Sequence, residues 1–280
     1  MPKKLNDIQI SRFRRDGFLS PIDILTPDQS KHYRARFETY ERQQGGWYPA
    51  SKGQKLYLLQ TWVAELASDE RVLDAVEDIL GQDIFVWGTS LFVKEAGHAS
   101  YVSWHQDSTY WGLSSPDVVT AWIALSPATE QSGCMKMIPG SHNWEQLEHR
   151  DTLAAENLLT RGQEIAVDVN ENQAVLIELE AGQMSLHNIR TAHASDRNRS
   201  TDRRIGVAVR YIAPHVKQLN AEGDSAWLVR GADRYGHFIH ESPPIADMDA
   251  AALKEHDRIM KLRQNVLFKG LSDGSKIADI

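Results

Sequence analysis

The stretch Ile84-Phe85-Val86-Trp87-Gly88-Thr89-Ser90-Leu91-Phe92-Val93-Lys94 decides the fold class. It is dense in β-branched and aromatic side chains, which suit a pleated, half-buried surface, and Gly97 closes it. The chain before it reads as helix. Leu5, Ile8, Phe13 and Phe18 lie near helical spacing, with Gly17 as a stop. Thr26-Pro27-Asp28 opens a second helix, Thr26 as cap and Pro27 in the first turn, and the charged segment after it ends near Gly45-Gly46. A third helix opens at Ser68-Asp69-Glu70 and runs through Val72, Leu73, Val76, Ile79 and Leu80 to Gly81. The chain after residue 97 reads as short strands at 101–105, 118–126, 133–138, 173–178, 182–187 and 204–212. Turn signals separate most of them, among them Pro116-Asp117, Pro139-Gly140-Ser141 and Ala181-Gly182. A last helix is expected from Asp249 through Leu262.

Helices followed by many short strands, with the polar chemistry in the strand region, imply a mainly β fold with flanking α-helices. The expected form is a jelly-roll, cupin-like barrel packed against the N-terminal helices. No repeat or linker divides the chain. One domain over 1–280 is expected, with helices at 1–82, a barrel core at 83–215 and a C-terminal extension at 216–280.

The 280 residues can bury a sizeable core without disulfides or a structural metal. A net charge of -7 argues against general attraction to nucleic acid or to an anionic membrane surface. The single cysteine, Cys134, excludes an intrachain disulfide and a cysteine-rich zinc site, and is expected to be buried and inert. Met1-Pro2-Lys3-Lys4-Leu5-Asn6 has no apolar stretch behind its lysines, and no run approaches a membrane span. A cytoplasmic protein acting on a small molecule is the expectation, without nucleic-acid or membrane partners; the oligomeric state is not legible.

A barrel strand points its side chains alternately inward and outward. In Trp104-His105-Gln106-Asp107, His105 and Asp107 therefore share a face and can both enter the barrel. One imidazole and one carboxylate need a second imidazole to complete a 2-His-1-carboxylate facial triad, which leaves three positions of an iron ion open. Three later histidines compete for that place: His187, His193 and His215, the last following Pro214 in an expected loop. His193 is followed eleven residues later by Arg204, which opens an apolar strand and can grip a carboxylate bidentately. Alternation puts Arg203 and Arg204 on opposite faces, so one of them enters the barrel while the other stays at the surface.

Trp104-His105-Gln106-Asp107, Ala121-Trp122-Ile123-Ala124-Leu125, Gly133-Cys134 through Ile138-Pro139-Gly140-Ser141-His142, and His193-Ala194-Ser195 with Asn198 and Arg204 resemble the phytanoyl-CoA dioxygenase family in order and spacing, over residues 8–215. The resemblance implies a double-stranded β-helix and an Fe(II)- and 2-oxoglutarate-dependent dioxygenase that consumes O2, with ascorbate as a stimulant. It also implies iron held by His105, Asp107 and His193, and 2-oxoglutarate contacts from Ser90, Gln106, Trp122, Ser195 and Arg204. A further family position near residues 55–60 has three candidates here, Lys55, Tyr57 and Gln60. Relatives that halogenate replace the carboxylate ligand with a small residue; Asp107 favours hydroxylation of a small metabolite, with release of succinate and CO2.

Each residue has a plainer reading. His105 and Asp107 can be a structural pair, Trp122 core, and Pro139-Gly140-Ser141-His142 a turn shaping the barrel rim. Trp104, Tyr110 and Trp111 can line a substrate pocket or simply pack. A non-catalytic metal-binding jelly roll and a metal-dependent hydrolase are the rival functions; neither would decarboxylate 2-oxoglutarate.

Overall fold

In the computed structural model, which describes residues 2–46, 53–152, 154–159, 162–166 and 169–267, the N-terminal helices begin where their caps place them. Helix α1 (Asp7–Asp16) is opened by a reciprocal Asn6–Gln9 capping box and stopped by Gly17, whose φ of 84° is left-handed. Phe18 does not belong to that helix. The reversal at Gly17 makes it the first residue of strand β1 (Phe18–Asp23), where it pairs with His187. Helix α2 (Pro27–Gln43) carries the Thr26 cap, completed by Gln29. Helix α3 (Thr61–Ala67) is short and was not legible as a separate element, whereas α4 (Glu70–Leu80) starts at the expected cap, Asp69.

The strand region begins with β2 (Ile84–Lys94) and β3 (Val102–His105), followed by the single turn α5 (Ser108–Trp111). Next come β4 (Val118–Ala124), β5 (Met135–Met137), β6 (His149–Asp151) and β7 (Gln163–Ile165). After them lie β8 (Val175–Ile177), β9 (Gln183–Asn188), β10 (His193–Ser195) and β11 (Arg204–Ile212). The C-terminal part adds β12 (Ser225–Arg230), β13 (Ile239–His240) and helix α6 (Ala250–Leu267).

Seven strands form a major sheet in the order β1-β9-β4-β11-β2-β12-β13, and four form a minor sheet in the order β3-β10-β5-β8. The two sheets are the walls of a double-stranded β-helix, the expected jelly roll flanked by helices. β6 and β7 make a separate two-stranded ribbon. The extension after residue 215, which carries no usable motif, is joined to the core by main-chain pairing: β12 lies antiparallel to β2.

The two faces of β11 show how the core is divided. Ile205, Val207, Val209 and Tyr211 point outward into one apolar cluster with Phe37, Tyr40, Trp62, Leu66, Leu73 and Val76 of the N-terminal helices. Burying these side chains against the sheet is worth roughly 1.5–3 kcal/mol each before entropy is counted. Arg204, Ala208 and Arg210 line the opposite, interior face. On β2 the alternation shifts: Arg210 pairs with Gly88 but Tyr211 with Val86, so Trp87 is an extra residue, a β-bulge beside the cavity. No helix among the described residues is long and apolar enough to cross a membrane.

Candidate metal centre and its cavity

The minor sheet brings two histidines face to face. β3 and β10 run antiparallel with His105 opposite His193, and their rings lie 4.0 Å apart between centroids. Each ring is oriented by the same device. His105 Nδ1 donates to the Ser103 carbonyl oxygen and His193 Nδ1 to that of Thr191, each at 2.9 Å. A proton placed on Nδ1 leaves Nε2 of both rings as a lone-pair donor, which is how ligating histidines are commonly fixed. Asp107 follows β3, with Oδ1 3.6 Å from His105 Nε2. One donor atom from each of His105, Asp107 and His193 falls within 4.8 Å of the others, which makes a site for a single cation.

Electrostatics agree with that reading. Burial works against the Asp107 carboxylate, but His105 and His193 beside it hold it well below its ordinary range. Burial, then the neighbouring His105, pushes His193 well below its ordinary value. The set thus presents an anionic carboxylate and a neutral imidazole, the forms that bind metal.

His187, on β9, also reaches the cavity, its ring 4.9 Å from that of His193. It is not one of the three converging donors. Burial lowers it to about 4, and its buried Nδ1 has no partner. His215 is half-exposed and lies 2.8 Å from Asp117, away from the cavity.

One cavity holds the three donors together with Phe92, Val102, Thr120, Trp122 and Met135. Arg204 forms its far end, 1% exposed, with Nη1 donating to the Gly133 carbonyl oxygen at 3.0 Å and the guanidinium 5.1 Å from the Trp122 ring centre. Burial lowers it to about 10, and its Nε is buried without a partner. No carboxylate pairs with it among the described residues. Gly206 makes room for Trp122: a Cβ there would lie 1.9 Å from the indole. Arg203, on the other face, is ion-paired with Glu41 at 2.8 Å and with Glu95, and packs on Phe37.

Of the residues singled out from sequence, His105, Asp107, His193, Trp122, Ser195 and Arg204 line this one cavity. Ser90 and Gln106 do not. Ser90 Oγ accepts from Arg210 at 2.8 Å. The Gln106 side chain donates to the Arg190 carbonyl oxygen and accepts from Leu147 N, each at 3.0 Å, so it braces the loop behind His105 and Asp107. Lys55, Tyr57 and Gln60 lie elsewhere: Lys55 and Tyr57 both bond Glu241, and Gln60 accepts from the Trp62 indole. Trp104 packs in a separate cluster with Lys136 5.5 Å from its ring centre, Trp111 lies under Arg210, and the Tyr110 side chain falls outside the described residues. His142 Nε2 donates to the Arg14 carbonyl oxygen at 3.1 Å, so it accompanies the rim turn. Cys134 is buried, and burial raises its thiol to about 11.

Two basic residues escaped the sequence reading, one bonded to a cavity residue and one on the cavity wall. Lys94, fully buried at the end of β2, donates to Ser195 Oγ at 2.7 Å and to the Asp196 carbonyl oxygen. Burial, then Arg204, lowers it to about 6. Arg210 lies on the Arg204 face of β11, six residues on, and the alternation that selected Arg204 already implied its direction.

The profile of the Phytanoyl-CoA dioxygenase (PhyH) family matches residues 13–206. Among curated proteins, the chain is 28% identical over 179 residues to a probable alpha-ketoglutarate-dependent hypophosphite dioxygenase of Stutzerimonas stutzeri, covering 63% of this chain and 58% of that one. The chain spans just over half the length of the curated relatives it matches. A solved structure described as "non-heme monooxygenase; ThoJ apo" superposes with a TM-score of 0.82 at 36% identity, over 92% of this chain and 97% of that one. A second, "CytC3 with Fe(II) and alpha-ketoglutarate", shares the fold with a TM-score of 0.62 at 24% identity, over 84% of this chain and 92% of that one.

Proposed function

The chain belongs to the phytanoyl-CoA dioxygenase family, and from that membership we propose that it is an Fe(II)- and 2-oxoglutarate-dependent dioxygenase hydroxylating an unactivated C–H bond of a small metabolite, with release of succinate and CO2. The observation that carries the reading is one cavity lined by two complementary sets of groups. His105, Asp107 and His193 converge their donor atoms within 4.8 Å of one another, and the buried guanidinium of Arg204 lies on the same cavity wall with its Nε unbonded among the described residues.

His105, Asp107 and His193 would hold the iron, with Ser103 and Thr191 fixing the two ring orientations through their carbonyls. Bound there with 2-oxoglutarate, iron(II) supplies oxygen-activating redox chemistry that no amino-acid side chain can, the oxoacid providing two of the electrons that dioxygen needs. Arg204 would receive the distal carboxylate of the oxoacid, with Lys94 and Ser195 as further donors. Trp122 closes one side of that pocket and keeps the guanidinium from bulk water, which strengthens its hold on an anion. Ser90 and Gln106 enter as supports, the first of Arg210 and the second of the loop carrying residues 146–149. The apolar lining of Phe92, Val102, Met135 and Ala208 excludes water from the centre.

The test is succinate formation by purified protein, with ascorbate present as reductant. Succinate is expected when iron(II), 2-oxoglutarate and oxygen are supplied together, and not when any one is withheld. Undiminished turnover under a chelator would refute the proposal, and tight binding of metal and oxoacid with no succinate under any condition would make the protein a binding module.

A further inference from the structure

The interior face of β11 carries a second guanidinium, Arg210, on the other side of the triad from Arg204. It lines the cavity together with His105, Asp107 and Thr120. Its Nη1 donates to the neutral Ser90 hydroxyl, while its Nε is buried with no partner. The guanidinium lies 4.8 Å from the centre of the Trp111 ring. A third arginine, Arg263 of α6, reaches the same place, with Nη1 donating to the Trp87 carbonyl oxygen at 3.1 Å and its guanidinium 4.1 Å from the Trp87 ring centre. The two tryptophan rings lie 5.3 Å apart, and both arginine side chains border Gly88.

Neither arginine has a carboxylate within ion-pair distance among the described residues. The acids nearby are engaged. Asp224 accepts from the Trp87 indole at 2.7 Å, Glu241 is held by Lys55, and Asp107 belongs to the triad. Burial lowers Arg210 to about 10, with Asp107 opposing and Arg263 reinforcing the shift. Two cations brought together under aromatic cover, with Asp107 acting only from beyond ion-pair distance, repel each other and are poorly solvated. Such an arrangement is stable in company with an anion. The tilted indoles of Trp111 and Trp87 lie against the guanidinium groups of Arg210 and Arg263 respectively, and Ser90 takes one end of Arg210. What is left is the Nε–Nη2 edge, the side-on geometry that matches two oxygens of one oxyanion.

We infer that this pocket is an oxyanion subsite for the primary substrate: a carboxylate or phosphorus oxyanion of the small molecule docks on the Nε–Nη2 edge of Arg210, with Arg263 as the second cation. That the anion belongs to a primary substrate rests on the proposed oxygenase function; the subsite itself rests on the arginines. An anion seated there anchors the rest of a small molecule in the cavity beside Asp107.

Anaerobic titration calorimetry tests this on the full chain, with and without iron(II) and 2-oxoglutarate, using N-acetylglycine, methylphosphonate and the neutral N-acetylglycine methylamide as probes. At least one oxyanion is expected to bind, with the amide about tenfold weaker or worse. R210Q should lower oxyanion affinity about tenfold or more, far beyond any change in 2-oxoglutarate affinity. R263Q, on a half-exposed helix position, should lower it in the same direction without endangering the fold. A preference for N-acetylglycine would identify a carboxylate substrate, and one for methylphosphonate a phosphorus oxyanion. Equal binding of acid and amide, no oxyanion binding at all, or affinities unmoved by both substitutions would overturn the subsite. So would an R210Q effect confined to 2-oxoglutarate. The Arg204→Met variant, titrated in parallel, reports separately on the co-substrate reading, so either idea can fail while the other stands.

Discussion

Two buried lysines of one scaffold have opposite company. Lys55, fully buried, donates to Glu241 Oε1 at 2.5 Å and to the Ser225 carbonyl oxygen at 2.6 Å, while Ser225 Oγ and Tyr57 OH donate to the same carboxylate. Lys94, equally buried, has Arg204 as its charged neighbour and a hydroxyl and main-chain carbonyls as acceptors. In the first cluster every charge meets its opposite within the chain. That cluster ties the segment after residue 215 to the turn at residues 55–57, and burial with Glu241 raises the Tyr57 hydroxyl well above its ordinary value. In the second cluster no carboxylate among the described residues lies within ion-pair distance of Lys94 or Arg204, Asp196 being paired with Lys136 instead. A complete buried ionic cluster is a clasp, because opening it strands a charge. An incomplete one is a place for a ligand.

The sharpest way to break that contrast is at the cation end of the cavity. In His193→Ala, anaerobic titration with iron(II) and 2-oxoglutarate should show no metal-to-ligand absorption band. His187→Ala should keep the band, with iron affinity reduced no more than the roughly 10–100-fold typical of losing an outer partner. The reverse pattern would mean that the third donor is misassigned.

The clasp should respond in stability instead. Glu241→Ala strands Lys55 and is expected to cost about 3–5 kcal/mol in chemical denaturation. Changing both partners to apolar residues of similar size should recover much of that loss. If Glu241→Ala unfolds like wild type, the cluster is no clasp.

At the anion end, Arg204→Met removes a charge-assisted contact and should weaken 2-oxoglutarate binding by about 1.5–3 kcal/mol. Arg203→Met, next in sequence, faces Glu41 and Glu95 and should leave the oxoacid affinity almost untouched. Equal losses in calorimetry would contradict the assignment of faces on β11.

The smallest expected effect is a pH dependence. In the free protein burial and Arg204 lower Lys94 to about 6 from an ordinary 10.5. A bound carboxylate favours the ammonium and raises that value, so binding takes up a proton wherever pH lies between the free and bound values. Oxoacid affinity should therefore fall as pH rises from 6 to 8, by at most about tenfold per unit. Titration in two buffers of different ionisation heat reads the proton directly, and Lys94→Met should flatten the profile. An affinity independent of pH in wild type would mean that Lys94 stays outside the site.

Much of this molecule is local and therefore legible in its sequence. The caps at Thr26 and Asp69, the stop at Gly17 and the longer strands of the barrel come from residue types within a few positions of each other. The same holds for the opposed faces of Arg203 and Arg204, since side-chain direction along a strand has a period of two, whereas Asp107 lies beyond the end of β3 in helical backbone and reaches the site through the turn into α5, not by strand alternation. Pattern spread along the chain also picked His193 over its rivals. Only the tertiary structure placed Phe18 in a strand rather than a helix, because its partner His187 is far away in sequence. Pairing between distant strands likewise set His105 opposite His193, brought Ser90 to Arg210 and Gln106 to the Arg190 carbonyl, and placed Lys94 beside Arg204. Spacing tells which way a side chain points, whereas whether a buried charge finds its opposite depends on register between strands that no local pattern encodes.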